Sequence, residues 1–160
     1  MTDSKILVRA AVAGDLAHLC AFNAAMARET EGLELDGATL ERGVAQGLAD
    51  AARARYFVAE CEGQPAGCLM LTLEWSDWRA GFWWWIQSVY VAPGFRRQGV
   101  YRALHTHVAN LASSVVDVVG LRLYVERANL GAQQTYAALG MHDSRYQVFE
   151  QHTRPSRDVP

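Results

Sequence analysis

The segment Tyr90-Val91-Ala92-Pro93-Gly94-Phe95-Arg96-Arg97-Gln98-Gly99-Val100-Tyr101-Arg102-Ala103-Leu104 gathers the residue types needed to hold an anion. An apolar run stops at a proline, a short basic loop follows, and Gly99 opens a stretch with helical spacing. Free amides at a helix start, equivalent to about half a positive charge, make an anion site. Gly99 lets the backbone approach a ligand closely, and Arg96, Arg97 and Arg102 add charge. The same residues also describe an ordinary strand-to-helix turn with a solvated basic face. The Lys-Ser/Thr ending of a P-loop and the G-x-G-x-x-G pattern are absent, which speaks against nucleoside triphosphates and dinucleotides.

A second group could receive a cation. Trp75-Ser76-Asp77-Trp78 and the run Trp83–Trp85 hold all five tryptophans. The run reads as core packing. Trp75 and Trp78 fall at a connection, where large aromatics line pockets or interfaces. With Glu74 and Asp77 beside them they would suit an amine through cation–π and charge attraction. The loop Arg28–Asp36 carries Glu29, Glu31, Glu34 and Asp36 against one arginine, which favours a cation or describes a solvated acidic loop. Metal chemistry has little support, since His105 and His107 are two apart on an expected helix and His18, His142 and His152 are scattered. Cys20, Cys61 and Cys68 have no CxxC spacing and no basic surround, so none reads as a nucleophile.

The elements that must position these groups follow from hydropathy. The 160 residues, 51% hydrophobic, suffice for one domain, expected over 1–153 with a flexible tail at 154–160. Fifteen Lys+Arg against seventeen Asp+Glu give −2, which excludes wrapping of nucleic acid by bulk charge. The apolar runs Phe82–Ile86 and Ala66–Leu71 are too short for a membrane span. The start MTDSKILVRA lacks the pattern of a secretory signal, and three unpaired cysteines fit a reducing compartment; a cytoplasmic location is expected.

Ile6–Ala10 is β-capable, and Gly14-Asp15 is a turn and N-cap for a helix carrying Leu16, Leu19, Cys20, Asn23 and Met26 at helical spacing. A second helix is expected over Ala38–Ala52, weakened by Gly43 and Gly47. Tyr56–Cys61, Ala66–Trp75 and Phe82–Val91 read as strands joined by turns. On the third, Phe82, Trp84 and Ile86 share one face and Trp83, Trp85 and Val89 the other, which marks a central strand covered on both sides. A helix with Val100, Leu104, Val108 and Leu111 on one stripe follows. After it come a strand Leu121–Glu126, a helix Asn129–Leu139 closed by Gly140, and a strand Tyr146–Gln151. The fold class is α/β (α+β): one mixed sheet in the order β-α-α-β-β-β-α-β-α-β, with helices on both faces.

Val91-x-Pro93-x-x-Arg96-x-x-Gly99-Val100 resembles the acyl-CoA-binding segment of the GNAT superfamily of N-acetyltransferases, with Tyr101 where Gly or Ala is usual. Leu121-Arg122-Leu123-Tyr124-Val125-Glu126-Arg127-Ala128-Asn129, followed by Ala132, Tyr136 and Leu139-Gly140-Met141, resembles that family's strand–Asn–helix–Tyr–Leu–Gly signature. The resemblance covers nearly the whole chain. It implies acetyl-CoA as acyl donor, its pantetheine arm lying between the strand ending near Val91 and the strand at Leu121–Glu126. Main-chain groups of Tyr90 and Val91 would meet the pantetheine and polarise the thioester carbonyl. The segment Arg96, Arg97, Gln98, Gly99, Val100, Tyr101 and Arg102 would cradle the pyrophosphate. Asn129, otherwise an N-cap, would also touch the pantetheine. Tyr136, otherwise a core aromatic, would be the general acid. The family often places a base near Gln87 and Ser88. Neither takes a proton at neutral pH, so Glu74 or Glu126 stands in as candidate, Glu74 first. The acceptor would be received by Trp75, Asp77, Trp78 and Glu29.

The expectation is therefore an N-acetyltransferase acting by direct attack of a primary amine, on a small molecule or peptide, with no metal, nucleic acid or membrane. A catalytically inactive CoA-binding regulatory module is the alternative, and a nucleotide-binding domain a third. A homodimer is the assembly that exposed aromatics and family habit suggest.

Overall fold

The computed structural model describes residues 6–153, so the expected tail at 154–160 lies outside the described residues. Five strands form one sheet in the order β1-β2-β3-β4-β5. They are β1 Ile6–Ala10, β2 Arg55–Cys61, β3 Gln64–Ser76, β4 Gly81–Val91 and β5 Val118–Arg122. Turns too short to cross the sheet force the neighbours β2–β3 and β3–β4 to run antiparallel, and β1 also pairs antiparallel with β2. Helix α3 (Val100–Ser114) separates β4 from β5 and lets that pair run parallel. The sheet is mixed, as expected.

Both faces are covered. On one, Phe57, Leu69, Leu71, Trp84 and Ile86 pack with Val100, Leu104, Val108 and Ala112 of α3. On the other, Tyr56, Val58, Cys68 and Tyr90 pack with Leu19 of α1 (Leu16–Glu31) and Val44 of α2 (Gly37–Ala49). Gly47 disfavours a helix interior, and the packing explains its presence in α2. A Cβ there would lie 2.9 Å from the Tyr56 ring, so glycine lets the helix close on β2. Asp36 caps α2, accepting from the Thr39 amide at 2.9 Å. Asp15 does not cap α1; its carboxylate takes the Arg9 guanidinium and the Val12 amide at 2.7 Å. Cys61 and Cys68 are buried, whereas Cys20 is half-buried.

The chain divides into two compact units, Met1–Leu123 and Tyr124–Pro160. In the second, helix α4 (Leu130–Ala138) is capped by Asn129, whose side chain accepts from the Ala132 amide at 3.1 Å. The expected strand at Tyr146–Gln151 does not form among the described residues: its alternation supplies one strand but no partner to pair with. The strand expected over Leu121–Glu126 runs instead from Val118 to Arg122, placing Gly120 inside it. A Cβ on Gly120 would lie 2.7 Å from the Trp83 indole, so the glycine makes room for that ring. No helix among the described residues is long and apolar enough to cross a membrane.

Candidate active site

Strand β4 has two different halves. From Phe82 to Trp85 it pairs with β3 on one side and β5 on the other, and the parallel pairing ends at Trp85–Arg122. Beyond that point β5 stops, and among the described residues no strand pairs with the Ile86–Val91 edge at the carboxyl end of the parallel pair. That is where α/β sheets commonly take ligands.

The open half is bulged. Between the pairs Met70–Gln87 and Cys68–Tyr90, β4 contains one residue more than β3, and Ser88 there has φ +50°. The buried Cys68 thiol, pushed up to about 12 by burial, donates to the Ser88 carbonyl at 3.5 Å. The extra residue reverses the alternation. Val89, expected with Trp83 and Trp85, packs instead on the α3 side, and Tyr90 turns toward α1. At the end of the strand the Ala92 amide donates to the Ala66 carbonyl at 2.9 Å while Val91 sits opposite Gly67. That register points the N–H and C=O of Val91 away from β3, toward the open edge.

The next residues turn their backbone outward. Pro93–Phe95 forms one 3-10 turn, Arg97 has φ +61°, and Gly99 has φ +86°. Gly99 is the N-cap of α3 and has no side chain, so no N-cap side chain covers the first turn of the helix, whose amides begin at Val100. A Cβ on Gly99 would meet nothing within 4 Å, so the space above this helix start is open. Gln98 folds back, its amide donating to the Gly94 carbonyl at 2.9 Å. Val100 is buried in the core and anchors the helix start, while the Tyr101 ring lies 6.1 Å from that of His105. The cradle, the bulge and the open edge thus belong to one stretch of backbone. They fit an elongated anion with a polar, flexible arm, the chemistry of an acyl-CoA.

The expected acceptor residues are not brought together. Trp75 packs edge-on against Phe82 at 4.9 Å, on the α3 side of the sheet. Glu74, its neighbour, lies on the opposite face, accepting from Trp85 Nε1 and from Arg122 at 3.0 Å. Trp78 stands 83% exposed at the hairpin tip, its amide bonded to Asp77 at 2.9 Å. Glu29 is at the other end of β4, bound to Tyr90 and Arg96. Eight residues of strand separate Tyr90 from Phe82, roughly 26 Å.

The sheet face toward α1 shows a grouping that the sequence reading passed over. Beyond the helices it presents Thr72 and Glu74 of β3, Trp83, Trp85 and Gln87 of β4, and Arg122 of β5. Arg122 stacks on Trp83 at 3.9 Å, and Gln87 donates to Thr72. The signal was present: on alternate positions β3 reads Cys68, Met70, Thr72, Glu74, apolar turning polar on one face. Tyr136, in α4, is half-buried, and burial pushes its phenol above the ordinary range. Among the described residues no group of three or more His, Cys, Asp or Glu is placed to hold a metal ion.

Known proteins share this fold. Residues 22–141 match the Acetyltransferase (GNAT) family. The structure of a possible acetyltransferase from Clostridium difficile 630 is 39% identical with a TM-score of 0.88, covering 94% of this chain and 99% of that one. A predicted acetyltransferase from Clostridium acetobutylicum, solved with acetyl-CoA, is 18% identical with a TM-score of 0.74, covering 94% of this chain and 100% of that one. A ribosomal-protein-alanine N-acetyltransferase from Brucella melitensis biovar Abortus 2308 is 15% identical with a TM-score of 0.73, covering 92% of this chain and 99% of that one. These last two show a shared fold. No curated protein matches the sequence. The family match across most of the chain, joined to a 39% identical structure of the same kind, makes this chain a member of the GNAT family of acetyltransferases.

Proposed function

We propose that the protein transfers an acetyl group from acetyl-CoA to a primary amine by direct attack, within one domain over 1–153 and in the cytoplasm. The observation that carries this reading is the Ile86–Val91 edge of β4, unpaired by any described strand, joined by one short loop to a helix start without a side-chain cap. The pyrophosphate would lie on the amides from Arg97 to Arg102, where dipole and free N–H groups favour negative charge. The pantetheine would follow the open edge, with Asn129 as a further contact. Main-chain donors near Val91 would polarise the thioester carbonyl as it gains charge.

The amine nitrogen forms the new C–N bond, and the C–S bond breaks. Its proton leaves to water; Glu74, which binds Trp85 and Arg122 about seven strand residues, roughly 23 Å, from Val91, is the candidate base and would receive it only along a chain of waters. Tyr136 protonates the departing thiolate; a phenol carries its proton at neutral pH, and burial raises this one above its ordinary range. The acceptor is received on the Trp83–Trp85 face. Asp77 and Trp78, about seven strand residues from the bulge, roughly 23 Å, would meet only a long acceptor.

The test is a library of amines with thiol release as readout. Turnover with any amine supports transfer; tight CoA binding without turnover across the library would favour a regulatory module instead. Tyr136→Phe keeps the ring and should lower kcat by about 10²-fold or more while acetyl-CoA still binds. Unchanged kcat would assign the proton to water.

A further inference from the structure

The loop that carries the cradle is fastened to α1 through one carboxylate. Glu29, in the last turn of α1, accepts from Tyr90 Oη at 2.7 Å and from Arg96 Nη2 at 2.6 Å. Arg96 Nε donates to the Val91 carbonyl at 2.9 Å, and its guanidinium lies 5.6 Å from the centroid of the Tyr90 ring. Phe22, also of α1, packs on the other partner of this group, with its ring 5.4 Å from that of Tyr90. Residues 29, 90–91 and 96 thus meet at one point although α2, β2 and β3 lie between them in sequence. The residue after Arg96 holds φ +61°, a conformation that side chains disfavour and that persists only where neighbours impose it.

We propose that Glu29 is a positioning residue for acetyl-CoA. By gripping Arg96 and Tyr90 it fixes the backbone from Arg96 to Gly99 in the shape that presents its amides to the pyrophosphate. The proposal rests on the donor reading above. Arg96 spends its Nε on a backbone carbonyl and an Nη on Glu29, so it acts by holding the loop. Arg–carboxylate pairs of this kind add geometric definition as well as attraction. The opposite role has the opposite sign. If Glu29 merely kept Arg96 from the phosphates, removing its charge would free a cation and tighten the ligand.

The experiment is calorimetric titration of the full chain with CoA. Glu29→Gln should weaken CoA by about 5- to 20-fold, and Arg96→Gln by a similar factor. The double variant should be no weaker than the weaker single, because both break the same link. Arg96→Lys keeps the charge without the fork and should recover part of the loss. Glu31→Gln removes a like charge two residues away and should leave CoA affinity unchanged or slightly tighter. The Tm of Glu29→Gln should stay close to that of the wild type, since both partners are more than 40% exposed.

Wild-type or tighter affinity in Glu29→Gln overturns the proposal, as do additive losses in the double variant. Should Glu29→Gln fail to fold, the Arg96→Lys against Arg96→Gln comparison decides, equal losses in both counting against the positioning role. A wild-type chain that itself ignores CoA removes the donor reading and this proposal together, a pattern distinct from a binding wild type with a silent variant.

Discussion

The two halves of β4 are built from similar residues and do opposite things. From Phe82 to Trp85 the strand has hydrogen-bonded neighbours on both sides and indoles on both faces. From Ile86 to Val91 it has a strand neighbour on one side only among the described residues, a bulge at Ser88 and backbone groups of Val91 that face away from β3. Unpaired backbone groups attract whatever can pair with them. The closed half supplies rigidity, and the open half, held in place by it, carries the proposed site. A ligand edge costs least when it continues a strand that is already fixed.

The most damaging way to break this contrast is Trp84→Ala. Trp84 is 2% exposed at the centre of the closed half, and truncation should cost about 3–5 kcal/mol. Urea unfolding checks it; a midpoint near that of the wild type would show that the closed half is not the scaffold. Gly99→Val attacks the open half. A side chain at φ +86° costs about 1–2 kcal/mol and fills the space above the helix start. The stabilisation of about 2.7 kcal/mol expected from acetyl-CoA at 100 times its Kd should vanish. A thermal shift retained in the variant would place the ligand elsewhere.

His105 sharpens the comparison by testing the body of α3, whose N-terminus serves the open half. It is buried, with no partner for Nε2 among the described residues, and burial holds its imidazole below the ordinary range. Its folded pKa is the lower one, so its contribution is complete above the unfolded value near 6.5 and is lost as pH falls through the folded value. His105→Leu should flatten the decline of Tm between about pH 6.5 and 5, and removing an unsatisfied group should gain up to about 1 kcal/mol at neutral pH. An unchanged pH slope would put that proton on another group. The smallest effect is expected from Trp78→Ala at the tip before the closed half, within about 0.5 kcal/mol of wild type. A large loss of stability would mean the exposed indole is a packing residue, and a raised amine KM would make the tip part of a long acceptor site.

Much of this was legible in the sequence. Period-two and helical spacing located β2, β3, β4 and α1 to α4 to within a few residues, since burying one face is a local requirement written into each segment. The Pro93–Gly99 loop was legible for the same reason: a proline, a glycine and a helix stripe act on their own neighbours. Asn129 could be read as a cap because its partner is three residues away.

What depends on a partner strand was not legible. The alternation at Tyr146–Gln151 promised a strand, and pairing decides whether one forms. Where β5 begins and ends was set by the Trp83 ring over Gly120 and by the parting from β4 after Arg122. The bulge at Ser88 is invisible in a run of apolar residues, yet it sends Val89 and Tyr90 to the faces opposite those that alternation assigns. Trp75 and Glu74 are adjacent in sequence and lie on opposite sides of the sheet. Glu29 and Arg96 are 67 residues apart and share a proton's reach. The sequence by itself determined the helices, most of the strands and the Pro93–Gly99 turn into α3, because those follow from neighbours along the chain. Only the tertiary structure decided which face each side chain serves and which distant carboxylate grips the loop, because register and contact are properties of pairs of segments.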